Sequence, residues 1–414
     1  MERTKAMAKA MAMAIAMAKA RAIAKAMAMA MAIAVAMAIA MTGCIDEYEA
    51  EIATEYADLL VVEGTICSSC PNTFILSRTQ PVNDSYTPRI VTGARVAVLG
   101  SDGSEYMAEE ADGQYTCHVG VLNPDVEYRL RIEANGEVYE SEPQKPLRTE
   151  RIATVDAVQA TPESAIDLLV TPEAPSDPDK VNYYTWSYDE TWEVHPDYTT
   201  YIYFDTNLMQ AVFKPDLFPT MGWKWASSQA ITVATSLNYE GQHIRSLKLY
   251  DIDRADERVF YRYSGLVHQR AVTKAEYEYE LARRQASTEM GGLFTPLPSA
   301  LPTNIRCLTA RKHVIGFVGC SLNTSEYRFF LNATDFSIDH PWPRDSRQWF
   351  ECDIGGCVRL AESGLFLCEW IDERDRPGGK LRTAWAYDFQ LDVRLKGATD
   401  EEPYFWSWKD DVSY

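Results

Sequence analysis

Asn135-Gly136 stands between two runs of alternating apolar and polar residues, 128–134 and 138–141. An Asn-Gly pair readily supplies the two positive-φ residues of a tight hairpin turn, so the flanking runs predict paired antiparallel strands. Comparable short runs lie at 59–66, 73–77, 94–99, 105–108 and 114–119, and Ser101-Asp102-Gly103-Ser104 and Asp112-Gly113 punctuate them. Short strands at this spacing predict an immunoglobulin-like β-sandwich over residues 56–148. Tyr128, behind Leu122-Asn123-Pro124-Asp125, fits the tyrosine corner of such sandwiches, where the hydroxyl bonds back to an upstream backbone group. That role is structural.

Strand-like runs resume at 151–159 and 165–171, followed by 181–192, whose Trp186 suits the core aromatic of a central sandwich strand. Further strands are expected at 244–250, 258–267, 314–318 and 327–331. Thr273-Lys274-Ala275-Glu276 reads as a capping box that opens a helix, which Gly291-Gly292 stops. Residues 149–345 are therefore expected to form a fibronectin-type-III-like sandwich with a helical insertion, and 346–414 a cysteine-containing extension. The fold class is mainly β, with two tandem sandwiches. Between 193 and 234 the regular signals thin out while aromatics accumulate. Tyr198, Tyr201, Tyr203, Trp223 and Trp225 are candidate ligand or partner contacts, able to stack on a sugar ring or anchor a protein. The competing reading buries them over the sandwich.

The front of the chain fixes location better than chemistry. From Ala6 to Ala40 every even position is alanine; six basic residues precede an uncharged run from Ala26 to Gly43. That order is the one of an export signal, with a membrane anchor as the alternative. Met41-Thr42-Gly43-Cys44 then ends the apolar run as a lipid-attachment signal, which assigns residues 1–43 to a leader and Cys44 to lipidation. Residues 1–43 hold six basic side chains and one acidic, so their removal takes the formal charge from −20 to −25. Nucleic acid is a poor partner for such a chain. Residues 44–55 carry Asp46, Glu47, Glu49, Glu51 and Glu55 and read as an acidic, solvated tether.

Eight cysteines follow Cys44, and an even count in an exported chain favours disulfides with few free thiols. Cys67-Ser68-Ser69-Cys70 admits a redox or a zinc reading, but β-rich sequence follows where a redox motif should open a helix, so a loop disulfide is preferred. The six histidines stand singly, with no His-x-x-x-His or His-Glu-x-x-His pair, and neither a nucleophile elbow nor a phosphate loop occurs. Asp251-Ile252-Asp253 lacks the glycine and terminal glutamate of a calcium loop. No metal or cofactor is expected. With 60 acidic residues, a carboxylate pair for glycoside cleavage cannot be singled out from sequence.

The ordered set Leu60-Val61-Val62-Glu63-Gly64, Val91-Thr92-Gly93-Ala94-Arg95-Val96, Asn182-Tyr183-Tyr184-Thr185-Trp186, Gly291-Gly292-Leu293-Phe294-Thr295-Pro296 and Val314-Ile315-Gly316-Phe317 resembles a family of Bacteroidetes outer-membrane lipoproteins classed as a domain of unknown function (DUF4249-like). The resemblance covers roughly residues 44–335. It implies a lipid-anchored, surface-exposed protein of immunoglobulin-like and fibronectin-like sandwiches that serves beside a TonB-dependent transporter, and it carries over no catalytic residues. Cys352 and Cys357 resemble the family's closely spaced cysteine pair, and Pro403-Tyr404-Phe405-Trp406 its closing motif. The candidate disulfide residues are thus Cys67, Cys70, Cys352 and Cys357; a four-sulfur zinc site is the alternative. The expected role is a non-enzymatic binding or accessory subunit in nutrient uptake. A structural or adhesive envelope protein is the alternative, with a glycan- or peptide-active hydrolase third.

Overall fold

Ten strands follow one another from Leu60: β1 (Leu60–Glu63), β2 (Thr65–Cys67), β3 (Pro71–Arg78), β4 (Arg89–Ile90), β5 (Arg95–Gly100), β6 (Glu105–Met107), β7 (Glu109–Ala111), β8 (Gln114–His118), β9 (Tyr128–Ala134) and β10 (Glu137–Ser141). The computed structural model describes residues 58–68, 71–79, 89–175, 177, 180–228, 232–288, 301–341 and 345–406. The leader, Cys44, the acidic tether, Cys70 and Gly291-Gly292 lie outside the described residues. Period-two burial builds the sheets. In β9, Tyr128, Leu130, Ile132 and Ala134 are buried and Arg129, Arg131 and Glu133 are less so, because successive side chains leave opposite faces. Asn135 and Gly136 take φ of 52° and 78°, and Asp112 and Gly113 take 51° and 77°, as tight hairpins between twisted strands require. The Tyr128 hydroxyl accepts the Asn123 N–H at 3.0 Å, which ties the loop before β9 to that strand. Phe74, Leu76, Val96, Val98, Tyr115, Leu130 and Ile132 belong to one core held between two sheets.

The next strands are β11 (Ile152–Gln159), β12 (Ile166–Pro172), β13 (Tyr183–Val194), β14 (Ile202–Asp205), β15 (Gln210–Phe213), β16 (Gly222–Ser227), β17 (Thr232–Thr235), β18 (Leu247–Ile252) and β19 (Arg262–Val272), followed by helix α1 (Lys274–Thr288). After the helix come β20 (Ile305–Cys307), β21 (Val314–Gly316), β22 (Gly319–Ser321) and β23 (Ser325–Asn332). Sheet β11-β12-β18 and sheet β16-β13-β19-β23 enclose a second core, with β17 paired to β13. Trp186 lies in that core and its indole N–H donates to Gln269 at 2.9 Å. At the start of α1 the Thr273 hydroxyl accepts the Glu276 N–H (3.1 Å), one half of the expected capping box. The Glu276 carboxylate turns to the Arg270 guanidinium (2.6 Å), pinning the helix to β19.

Residues 303–322 depart from the sequence reading. Strands β21 and β22 pair in parallel with β1 and β2, and β20 pairs antiparallel with β10. Ile305, Val314, Val318 and Cys320 consequently belong to the first core, whereas the sequence placed 314–318 among the strands of the second sandwich. Gly316 makes the approach sterically feasible: its φ is +133°, and a Cβ there would lie 2.2 Å from the Val62 carbonyl oxygen. The two-sheet units are therefore interlocked by chain path.

A third core joins the region after β23 to the hairpin β14-β15. It comprises β24 (Gln348–Glu351), helix α2 (Ile354–Glu362), β25 (Phe366–Asp372), β26 (Leu381–Ala386) and the short helix α3 (Asp388–Leu391), with strand order β24-β26-β25. Phe204 of the hairpin packs with Cys357, Leu365, Leu367, Leu381 and Trp385. The stretch 193–234, read as irregular, thus holds a hairpin and the edge strand β16, and the hairpin's apolar face is what the C-terminal region covers. The architecture is mainly β, in several open sheets.

The buried tyrosines give this fold an alkaline limit. Burial pushes the Tyr184 and Tyr279 hydroxyls up to about 12, and Tyr250 and Tyr263 are raised further by the same cause. A tyrosine in the unfolded chain ionises near about 10. The stabilisation is therefore complete below pH about 10 and is lost as pH rises toward the folded values. Exposed tyrosines are expected to ionise first without loss of structure, and the remaining tyrosinate absorbance to appear together with loss of β circular dichroism in one cooperative step above pH about 10. Ionisation of all tyrosines before any unfolding would contradict this packing.

Candidate binding site

Strand β13 organises the site because its two faces have different tasks. Tyr184, Trp186, Glu190, Trp192 and Val194 alternate toward the second core, which leaves Asp189, Thr191 and Glu193 on the outer face. Cross-strand register then sets Ser227 opposite Asp189, Trp225 opposite Thr191 and Trp223 opposite Glu193. The C-terminal segment lies across one end of this face. There Trp406, fully buried, meets Trp223 edge-on at 6.4 Å and Phe330 at 5.7 Å between ring centroids. The Arg262 guanidinium lies 4.4 Å from the Phe330 ring centre, and that of Arg328 lies 3.6 Å from the centre of Phe405.

Where β13 ends, a cavity of about 360 Å³ is lined by Glu193, His195, Asp197, Glu257, Phe260, Tyr261, His340 and Lys396, among others. The Glu193 carboxylate, 3% exposed, is hydrogen-bonded to His195 Nε2. His195 stacks on Tyr261 at 3.9 Å, and His340 meets the same tyrosine edge-on at 5.3 Å. Burial lowers the pKa of His340, opposed by a backbone hydrogen bond at Pro341 and aided by the neighbouring His195. Burial raises Tyr261, helped by the charges of Glu193 and Asp197. Asp197 pairs with Lys396 (2.6 Å) and Glu257 with Lys224 (2.9 Å), while Glu193 meets His195 through Oε1 and keeps a buried Oε2 with no hydrogen-bond partner among the described residues. Among the described residues the lining contains no serine, threonine or cysteine. This is a polar, aromatic-walled recess suited to holding a small molecule.

A Ser, His and two carboxylates also meet on the outer face, but not as a hydrolytic triad. The Ser227 hydroxyl donates to Asp189 Oδ1 (2.6 Å), while His268 lies between Asp189 (2.9 Å) and Glu326 (3.2 Å). The imidazole has no bond to the hydroxyl, so it is not placed to activate it.

The aromatic residues singled out by sequence divide into separate environments. Trp223 is buried beneath Trp406, and Trp225 is 68% exposed. Tyr198 is half-buried: its hydroxyl accepts the Ser346 N–H at 2.6 Å, and the Arg347 guanidinium lies 5.1 Å from its ring centre. Tyr203 donates its hydroxyl to Asp205 (3.0 Å), and Tyr201 is exposed. These five do not converge on one pocket. The cavity residues Glu193, His195, Tyr261, His340 and Lys396 were not singled out by sequence. Their only local sign is Glu193-Val194-His195, whose period of two puts the carboxylate and the imidazole on one face.

The cysteines depart from the expectation of few free thiols. Cys117, Cys307, Cys320 and Cys368 are free, in separate strands. Cys352 and Cys357 are free as well, with sulfurs in contact at 3.0 Å beside the N-terminus of α2, where the Asp353 carboxylate accepts the Gly356 N–H. Cys67 lies in β2 and that pair lies in the third core, so these three sulfurs are not brought to one metal centre. Among the described residues no His, Cys, Asp and Glu cluster able to hold a metal occurs. Burial pushes the Cys320 thiol up to about 12 and Cys368 to about 11, and raises Cys117. Since the thiolate is the nucleophile, alkylation of the native protein at pH 8 is expected to miss Cys117, Cys320 and Cys368 but reach them after denaturation. Peptide mass spectrometry reads the difference, and equal labelling in both states would contradict the burial.

The fold and site together define a mainly-β protein that presents a recess and an aromatic sheet face. A search of curated proteins finds no match for the chain. The chain belongs to the family described as Domain of unknown function (DUF4249), which matches residues 45–327.

Proposed function

We propose that this protein is a surface-exposed outer-membrane lipoprotein, attached through Cys44, that works as a non-enzymatic binding or accessory subunit beside a TonB-dependent transporter in nutrient uptake. The observation that carries the reading is the start of the family match at residue 45, directly behind the cysteine of Met41-Thr42-Gly43-Cys44. A family domain that begins where lipidation would create the mature N-terminus is what a cleaved, tethered protein needs. The run of Asp and Glu that follows Cys44 has the composition of a solvated tether. We read the first two-sheet unit as an immunoglobulin-like sandwich, on the Tyr128 bond to Asn123, and the second as fibronectin-type-III-like with a helical insertion, on Trp186. In the cavity, Asp197 and Glu257 are each paired with a lysine and the walls are aromatic, which favours holding a ligand. The exposed Leu208, Met209 and Phe213 of the β14-β15 hairpin favour the second reading, an adhesive envelope protein.

The anchor is tested with Cys44→Ser. The parent protein is expected in the membrane pellet and labelled by a radioactive fatty acid; the variant is expected to lose the label and leave the pellet once its leader is processed. A processed variant that stays with the membrane would refute lipidation at Cys44.

A further inference from the structure

The described residues cover the outer face of the β16-β13-β19-β23 sheet only in part. Trp406 and Phe405 close one region, over Trp223, Phe330 and Arg328. Beside them Trp225 is 68% exposed and Tyr404 95% exposed. Trp225 lies on the same face as Trp223, two residues along β16, and opposite Thr191. Two residues further along β16, Ser227 faces Asp189, and His268 with Glu326 stands one same-face step away, opposite Ser187 rather than Asp189, so the four form a diagonal row across four neighbouring strands. At ordinary strand spacing the row spans roughly 14 Å. It is joined by hydrogen bonds from Ser227 to Asp189 and between His268 and both carboxylates.

We propose that this face is a glycan platform that binds a neutral oligosaccharide, with Trp225 stacking on a sugar ring and Asp189, Ser227, His268 and Glu326 bonding its hydroxyls. Three features select that occupant. An indole 68% exposed on a sheet face complements the apolar C–H face of a pyranose, while the hydroxyl, carboxylate and imidazole groups beside it complement its polar rim. The row is long enough for several rings, unlike the recess beside His195. Charge weighs against acidic glycans: Asp189 and Glu326 lie on this face, the Arg328 guanidinium in the Asp189 row is stacked over the Phe405 ring, and the chain carries a formal charge of −20, so a polyanion is repelled. Tyr404, next to Phe405 at 5.3 Å between rings, supplies a second exposed aromatic beside Arg328.

The proposal rests on the reading of the chain as a binding protein and names its ligand class, without depending on which transporter it serves. The test is affinity electrophoresis of the whole mature protein through native gels containing β-glucan, α-glucan, galactomannan, xylan or polygalacturonate. At least one neutral polysaccharide is expected to retard the parent, with Trp225→Ala weakening the apparent affinity about tenfold and leaving the melting temperature unchanged. Asp189→Asn is expected to weaken retardation in the same gel. No retardation by any neutral polysaccharide, retardation by polygalacturonate alone, or equal retardation of Trp225→Ala would each overturn the proposal. All three outcomes leave transporter association intact, so failure of the glycan platform is distinguishable from failure of the proposed function.

Discussion

Trp406→Ala is expected to destabilise the protein by about 3–5 kcal/mol, the range for removing a fully buried tryptophan. Trp406 is a buried side chain near the end of the described chain, and it is packed by residues far apart in sequence: Trp223 from β16, Phe330 from β23 and Arg262 from β19. Its loss removes apolar contact and also uncovers the face beneath, because the Thr399 and Trp223 backbones bridge beside it (2.8 and 2.9 Å) and hold the segment in place. Urea unfolding followed by tryptophan fluorescence measures the loss, and a red-shifted native spectrum should report Trp223 becoming wet. A loss below about 0.5 kcal/mol, within the range of surface substitutions, would mean that this segment only rests on the sheet.

Arg258→Met is expected to cost a similar amount, about 3–5 kcal/mol, for an electrostatic reason. Glu190 points into the second core, where its carboxylate accepts from the Arg258 guanidinium (2.7 Å) and from the Tyr263 hydroxyl (2.8 Å). Tyr263 in turn lies 2.6 Å from the Tyr250 hydroxyl. Without the arginine, a buried negative charge keeps only one hydroxyl donor, and the penalty of stranding it exceeds the worth of the pair itself. Adding Glu190→Gln to Arg258→Met removes the stranded charge, so the double variant should recover part of the lost stability. Additive losses in a double-mutant cycle would show that the two side chains are not coupled.

What sequence could reveal here was what local physics writes. Asn135-Gly136 and Asp112-Gly113 are turns because two adjacent residues must take positive φ, and Tyr128 follows its loop at a fixed offset. Helix α1 is legible from Thr273, although Glu276 serves Arg270 rather than closing the box. The return of β21 and β22 to the first unit was not legible, because parallel pairing leaves no turn signal and Val314-Ile315-Gly316 is too short to announce its partner. The third core was hidden for a related reason. Phe204 and Trp385 are each an ordinary apolar residue on a short strand, and only folding sets them in contact. The recess follows the same rule: His195 and His340 are isolated in sequence, and Tyr261 brings them together.

Solubilising the outer membrane in mild detergent and recovering the full-length tagged protein tests the central claim most directly. The account predicts that a TonB-dependent transporter co-purifies in near-equal amount with the parent protein and is lost with Cys44→Ser. Repeated recovery of the membrane-anchored protein without any transporter would contradict it.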